Sequence, residues 1–114
     1  MVIDCLILIK PWLEKILSGE KDMELRGSCT HKRGVIGLIE SGSRKIKGFA
    51  TVSDCLELDK KTFDGSVERH QIRGDVWDKL PYKRKFGWIL KNPVRLEKPI
   101  NYKHPWGAVI WVKV

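Results

Sequence analysis

Lys21, Glu24 and Arg26 are the residues of this chain whose types and spacing could do chemistry together. Two apart on an extended strand, Glu24 and Arg26 project from one face about 7 Å apart. Lys21 falls at the turn that enters that strand. An ammonium, a carboxylate and a guanidinium gathered in this way could clamp a phosphate or a polar base, with Arg26 bidentate and Glu24 accepting from an exocyclic amine. They could equally supply a desolvated lysine as a base beside an acid. A solvated edge strand with a charged outer face would carry the same letters.

Other residues offer weaker chemistry. Three basic runs, His31-Lys32-Arg33, Arg44-Lys45-x-Lys47 and Lys83-Arg84-Lys85, fall in or beside expected turns. Brought together beside a cleft they would form a phosphate track; kept apart they are solvated surface. Trp106 and Tyr102 are candidate platforms for a stacked base, and Trp12 is either a helix anchor or a cleft wall. His104 is a candidate acid/base; His31 and His70 carry less. No Ser-His-Asp arrangement, phosphate-binding glycine loop or metal-ligand spacing occurs in the sequence, so neither metal nor cofactor is expected.

These side chains need elements to hold them. Val2 to Ile9 is an apolar run broken only by Asp4, and it reads as a buried strand. Pro11 suits the first helical turn, Trp12, Leu13, Ile16 and Leu17 recur at helical spacing, and Gly19 is the stop. Asp22 to Arg26 alternates, with Met23 and Leu25 on one face and Glu24 and Arg26 on the other. A basic loop, Gly27 to Gly34, leads to a strand over Val35 to Glu40 and a turn at Ser41-Gly42-Ser43. Arg44 to Leu58 reads as a long strand or a bent pair of strands, with the bend expected at Gly48. Asp59 is placed to cap a helix from Lys60 to about His70. Gly74 to Lys85 reads as irregular. A strand over Phe86 to Leu90 is expected to break at Asn92-Pro93 and to resume at Val94 to Leu96, and Ala108 to Val114 reads as the last strand. Trp88 and Trp111 are expected in the core. The pattern is α+β, mainly β: a small barrel of mixed strands with two or three short helices.

Composition bounds the answer. With 114 residues, 42% hydrophobic and 32% charged, the chain suits a single domain spanning 1–114 and excludes disorder and a membrane span. Its 22 Lys and Arg against 14 Asp and Glu give a net charge of +8, which favours anionic partners. Three widely separated cysteines exclude a disulfide scaffold, and with no secretory signal in the reading a cytoplasmic location is expected.

The stretch from Lys10-Pro11-Trp12 through Gly19-x-Lys21-x-x-Glu24-x-Arg26 resembles the activating signal cointegrator homology (ASCH) domain, whose hallmark is G-x-K-x-x-E-x-R after the first helix. The similarity continues at Lys32-Arg33-Gly34, Ser53-Asp54-Cys55-Leu56 and Lys91-Asn92-Pro93. The resemblance implies a PUA-like β-barrel with a cleft beside the first helix. It also implies RNA binding in transcription coactivation, translation or RNA processing. On that reading Lys21, Glu24, Arg26, Trp12, Lys32, Arg33, His104 and Trp106 contact single-stranded RNA or a nucleotide-like ligand. A hydrolase of the same family is the alternative, either a ribonuclease of single-stranded RNA or an N4-acetylcytidine amidohydrolase, with Lys21 and Glu24 as the candidate catalytic pair. The amidohydrolases use a Thr three residues after the motif Lys; Glu24 stands there, and a carboxylate is a poor substitute for an alkoxide. A protein-interaction module using an exposed terminal strand is the third possibility.

Overall fold

In a computed structural model describing residues 2–114, six strands form one mixed sheet in the order β2-β5-β4-β3-β1-β6. They are β1 (Asp4–Leu8), β2 (Met23–Arg26), β3 (Gly34–Glu40), β4 (Lys45–Leu58), β5 (Lys85–Asn101) and β6 (Trp111–Lys113). Only β1 and β3 run parallel; the other neighbours are antiparallel. The interior position of β1 explains its apolar run from Cys5 to Leu8, of which Cys5, Leu6 and Leu8 are buried.

Helix α1 (Lys10–Ser18) begins at Lys10-Pro11 and ends at Gly19, whose φ of 87° is the left-handed turn that glycine adopts without strain. Leu13, Ile16 and Leu17 pack onto the sheet with Leu6, Leu38 and Leu90. The expected helix from Lys60 to His70 is two, α2 (Lys60–Asp64) and α3 (Val67–His70), divided at Gly65-Ser66. Asp59 caps α2 through a 2.8 Å bond from the Thr62 amide. A single 3-10 turn, Trp77–Lys79, interrupts the irregular segment before β5, and with α2 and α3 it covers Met23, Leu25, Leu58, Phe63 and Ile89.

Three further expectations change. β5 does not break at Asn92-Pro93: Thr51 pairs Lys91 and Phe49 pairs Val94, so one strand gains a residue on the other there. Asn92, at φ 52°, turns this bulge, and Pro93 sits where no ladder amide is required. The last strand is shorter than Ala108 to Val114. The third change concerns closure. Among the described residues β2 and β6 end the sheet and no backbone ladder joins them, so the sheet is open rather than a closed barrel. Side chains cross the seam instead. Arg26 Nη2 of β2 donates to the Ile7 carbonyl of β1 at 3.0 Å, and Trp88 of β5 stacks on Trp111 of β6 with centroids 5.7 Å apart. No helix among the described residues is long and apolar enough to cross a membrane.

Candidate functional site

The path from α1 into β2 is fixed at each step. The Gly19 amide donates to Ile16 and the Lys21 amide to Lys15, so the helix end delivers Lys21 directly to the strand. Asp22 then donates its amide to Arg69, receives the Leu90 amide, and takes two guanidinium bonds from Arg69 at 2.9 and 3.2 Å. With Met23 and Leu25 in the core, strand alternation turns Glu24 and Arg26 to the opposite face, as their spacing predicts.

The opposite face is not solvent. Lys21 is 1% exposed and Glu24 5%. Lys21 Nζ donates to the His70 carbonyl at 2.6 Å, lies 3.5 Å from Glu24 Oε1, and sits 4.6 Å from the centroid of the Trp12 ring. Burial pulls the Lys21 pKa below its ordinary value, and the Glu24 carboxylate opposes this without cancelling it. Glu24 Oε2 receives Arg26 Nε at 3.0 Å and Nη2 at 2.9 Å. Both carboxylate oxygens are thus engaged. Arg26 Nη1 has no protein partner among the described residues.

His70 supports Lys21 from behind. Its Nε2 faces the Phe63 carbonyl at 2.8 Å and therefore donates; Nδ1 accepts the Ile72 amide at 3.0 Å, which assigns a neutral ring. The ring stacks on Phe63 at 4.1 Å. Burial, with Lys21 adding to it, lowers the His70 pKa.

These groups wall a recess of about 360 Å³ in the seam between β1 and β2. Lys21, Glu24 and Arg26 form the polar side, while Trp12, Ile72, Leu80, Tyr82 and Val109 are among the residues of the apolar side. Gly27 lets Tyr82 close that side, because a Cβ there would meet the Tyr82 ring at 2.6 Å. Two cations against one carboxylate leave the polar wall with a positive excess. The volume is that of a small-molecule site, suited to one planar polar group with donors and an acceptor on one flank and rings on the other.

Four of the eight sequence-chosen residues therefore converge: Trp12, Lys21, Glu24 and Arg26. The other four do not line this recess. Lys32 pairs with Asp4 at 3.0 Å and lies 4.9 Å from the Trp111 ring. Arg33 donates to the Thr30 carbonyl and faces Asp54 at 3.8 Å. Trp106 is fully exposed and borders neither hollow. His104 is in a neighbouring hollow with both nitrogens occupied, Nε2 donating to Ala108 at 2.9 Å and Nδ1 bonded to the Tyr102 hydroxyl at 2.8 Å. Its bonds make it a brace for the loop that follows β5. The sequence reading missed Ile72, Leu80 and Tyr82; the signal was an apolar series, Ile72, Val76, Leu80, that runs into the stretch from Gly74 to Lys85 read as irregular.

A family model described as "ASCH domain" matches residues 6–100. The chain belongs to the ASCH domain family. Its fold matches the crystal structure of ASCH from Zymomonas mobilis, with a TM-score of 0.68 at 17% identity, covering 86% of this chain and 72% of that one. A mutant of the Zymomonas mobilis protein matches with a TM-score of 0.70 at 17% identity, covering 86% and 74%. No curated protein sequence matches the chain. In this ASCH domain the motif residues Lys21, Glu24 and Arg26 are one ion-paired group at the sheet's open seam.

Proposed function

We propose that this ASCH domain binds single-stranded RNA, or a nucleotide-like ligand, by seating one base in the recess of Lys21, Glu24 and Arg26. The observation that carries the reading is the pairing of a polar wall with positive excess and an aromatic and apolar wall across a cavity of about 360 Å³. An unstacked base needs both: edges to hydrogen-bond and faces to pack. Arg26 Nη1 and the remaining Lys21 proton meet acceptors on the base, and the fixed Glu24 carboxylate keeps both cations in place. The net charge of +8 supplies long-range attraction to the backbone. The family resemblance to RNA-linked domains in transcription, translation and RNA processing supports the same reading, as does the PUA-like barrel it implies, with its seam left open as the cleft.

Titration of short single-stranded RNA at several salt concentrations tests it. Affinity should fall steeply as salt rises, and Lys21→Ala should remove most binding. A flat salt response, or no binding at low salt, refutes it.

One observation favours a second reading. A recess-lining lysine whose pKa burial lowers is a candidate base, which suits a hydrolase of single-stranded RNA or of N4-acetylcytidine. Turnover lost in Lys21→Ala and kept in Arg84→Ala, whose guanidinium pairs with Glu57 outside the recess, would establish it.

A further inference from the structure

A second hollow of about 350 Å³ adjoins the recess, and Ile7, Ser41 and Val109 border both. The turn between β3 and β4 walls it on one side through Gly42 and Arg44, and the loop after β5 walls it on the other through Tyr102 and His104. No carboxylate lines this hollow, and Arg44 is its one charged side chain.

Arg44 differs from every other arginine of the chain. Arg26, Arg33, Arg69, Arg73, Arg84 and Arg95 each face a carboxylate within 4.0 Å, whereas Arg44 has no ion pair among the described residues. Its backbone is left-handed at φ 58°, a conformation that costs a non-glycine residue about 1–2 kcal/mol. The Arg44 carbonyl is tied to the Tyr102 amide at 3.3 Å, which joins the two walls. Tyr102 is in turn braced by His104, and His104 by Ala108. Arg44 is exposed, borders a hollow free of carboxylates and has no ion pair among the described residues, so its guanidinium is free to take an anion.

We infer that this hollow is a phosphate subsite of the same ligand, with Arg44 receiving the phosphate attached to the nucleotide whose base occupies the first recess. The inference rests on the base-binding reading above. It gives the phosphate of that ligand its own place on the domain, so that a nucleotide or a strand carrying a phosphodiester binds more tightly than the free nucleoside. Ile7, Ser41 and Val109, common to both hollows, then lie beneath the sugar that joins base to phosphate.

Calorimetric titration of the four ribonucleosides, their 3′- and 5′-monophosphates and dinucleoside monophosphates such as CpC tests this on the wild type and on Arg44→Asn. Asparagine tolerates the left-handed backbone, so the turn is preserved while the charge is removed. In the wild type, adding phosphate to a nucleoside should tighten binding about five- to tenfold. In Arg44→Asn the ratio of nucleotide to nucleoside affinity should fall by the same factor. The logarithmic salt slope for CpC should drop by about 0.7, the share of one single-strand phosphate. A wild type that binds nucleosides but gains nothing from phosphate overturns this inference alone, as does an unchanged ratio in Arg44→Asn. A wild type that binds none of the probes overturns the base-binding reading along with it.

Discussion

Replacing Glu24 with Gln removes a negative charge from between two cations and leaves the side chain's size unchanged. The carboxylate stands 3.5 Å from Lys21 Nζ and 2.9 Å from Arg26 Nη2, and the three side chains are 7%, 1% and 17% exposed in that order. At such separations, and at an effective dielectric of about 20, each attraction is worth about 4 kcal/mol before desolvation. Removing one partner of a buried pair costs about 3–5 kcal/mol in practice, because the survivor stays buried without its counter-charge. One flank of this group borders an open recess, so the lower end applies, about 3 kcal/mol. A domain of this length has about 6–17 kcal/mol of stability, so the variant should fold but melt about 10–20 °C lower.

The loss should depend on pH. Lys21 has its pKa lowered in the folded state, so folding is penalised wherever the unfolded chain holds that proton more tightly. The penalty is absent above the unfolded value, 10.5, grows as pH falls toward the folded pKa, and is constant below it. Glu24 is the strongest influence raising that pKa, so Glu24→Gln lowers it further and widens the window. Urea unfolding from pH 7 to 10 should therefore show the variant recovering stability as pH rises, more steeply than the wild type. Adding Lys21→Met should restore a large part of the loss at pH 7, with a coupling of about 1–3 kcal/mol. A cost below about 1 kcal/mol with no pH dependence would mean that the three groups behave as a solvated surface pair, and the reasoning fails.

Two further outcomes follow from the geometry. His70 has its pKa lowered from 6.5, so the wild type should hold full stability above pH 6.5 and lose it as pH falls toward the folded value. The slope there is bounded by the one-proton limit of about 1.4 kcal/mol per pH unit, and His70→Gln should lack this contribution; equal acid slopes in urea unfolding of the two proteins would contradict the neutral buried ring. At Gly48 an added Cβ would collide with the Val94 carbonyl and meet Leu17 Cδ2 at 2.6 Å, so Gly48→Ala should cost about 1–3 kcal/mol by thermal unfolding. A change under about 0.5 kcal/mol would show that β4 and β5 part there without strain.

Much of the framework is legible because its periods are local. The apolar run of β1, the Pro11-to-Gly19 helix and the alternation of β2 each follow from a few consecutive residues, and the last of these already puts Glu24 and Arg26 on one face. Burial of Lys21 is not legible, since it depends on a carbonyl 49 residues away, at His70. Nor is the separation of the basic runs. Arg26 reaches Ile7 near the end of β1, whereas Lys32 reaches Asp4 at its start, three residues and about 10 Å along the strand. Arg84 is taken by Glu57, and Lys85 is buried with its ammonium 4.3 Å from the Trp77 ring centroid. Which cation meets which carboxylate is set by how strands cross, and charge order along the chain carries no record of it. The wall built by Ile72, Leu80 and Tyr82 escaped for a related reason. Ile72, Val76 and Leu80 recur every four residues, yet no α-helix forms there; the segment packs against a cluster that includes Met23 and Phe63 from distant elements.

The open seam and the buried charges account for one another. A small sheet of six strands that closes completely satisfies its edge amides by pairing and fills its interior with side chains, leaving little room for a ligand there. Here β2 ends the sheet, and its outward face presents Glu24 and Arg26 to a recess rather than to another strand. Arg26 spans the gap by bonding Ile7, so the opening keeps a fixed width without a ladder. Buried ion groups of this kind are seldom the most stable filling for their volume; apolar side chains of equal size commonly do as well or better. A core position holding Lys21 at 1% exposure, stacked on Trp12 and tied to His70, is therefore poorly explained by stability alone. It is well explained if the donors that face the recess are kept dry and immobile for a partner that brings its own acceptors.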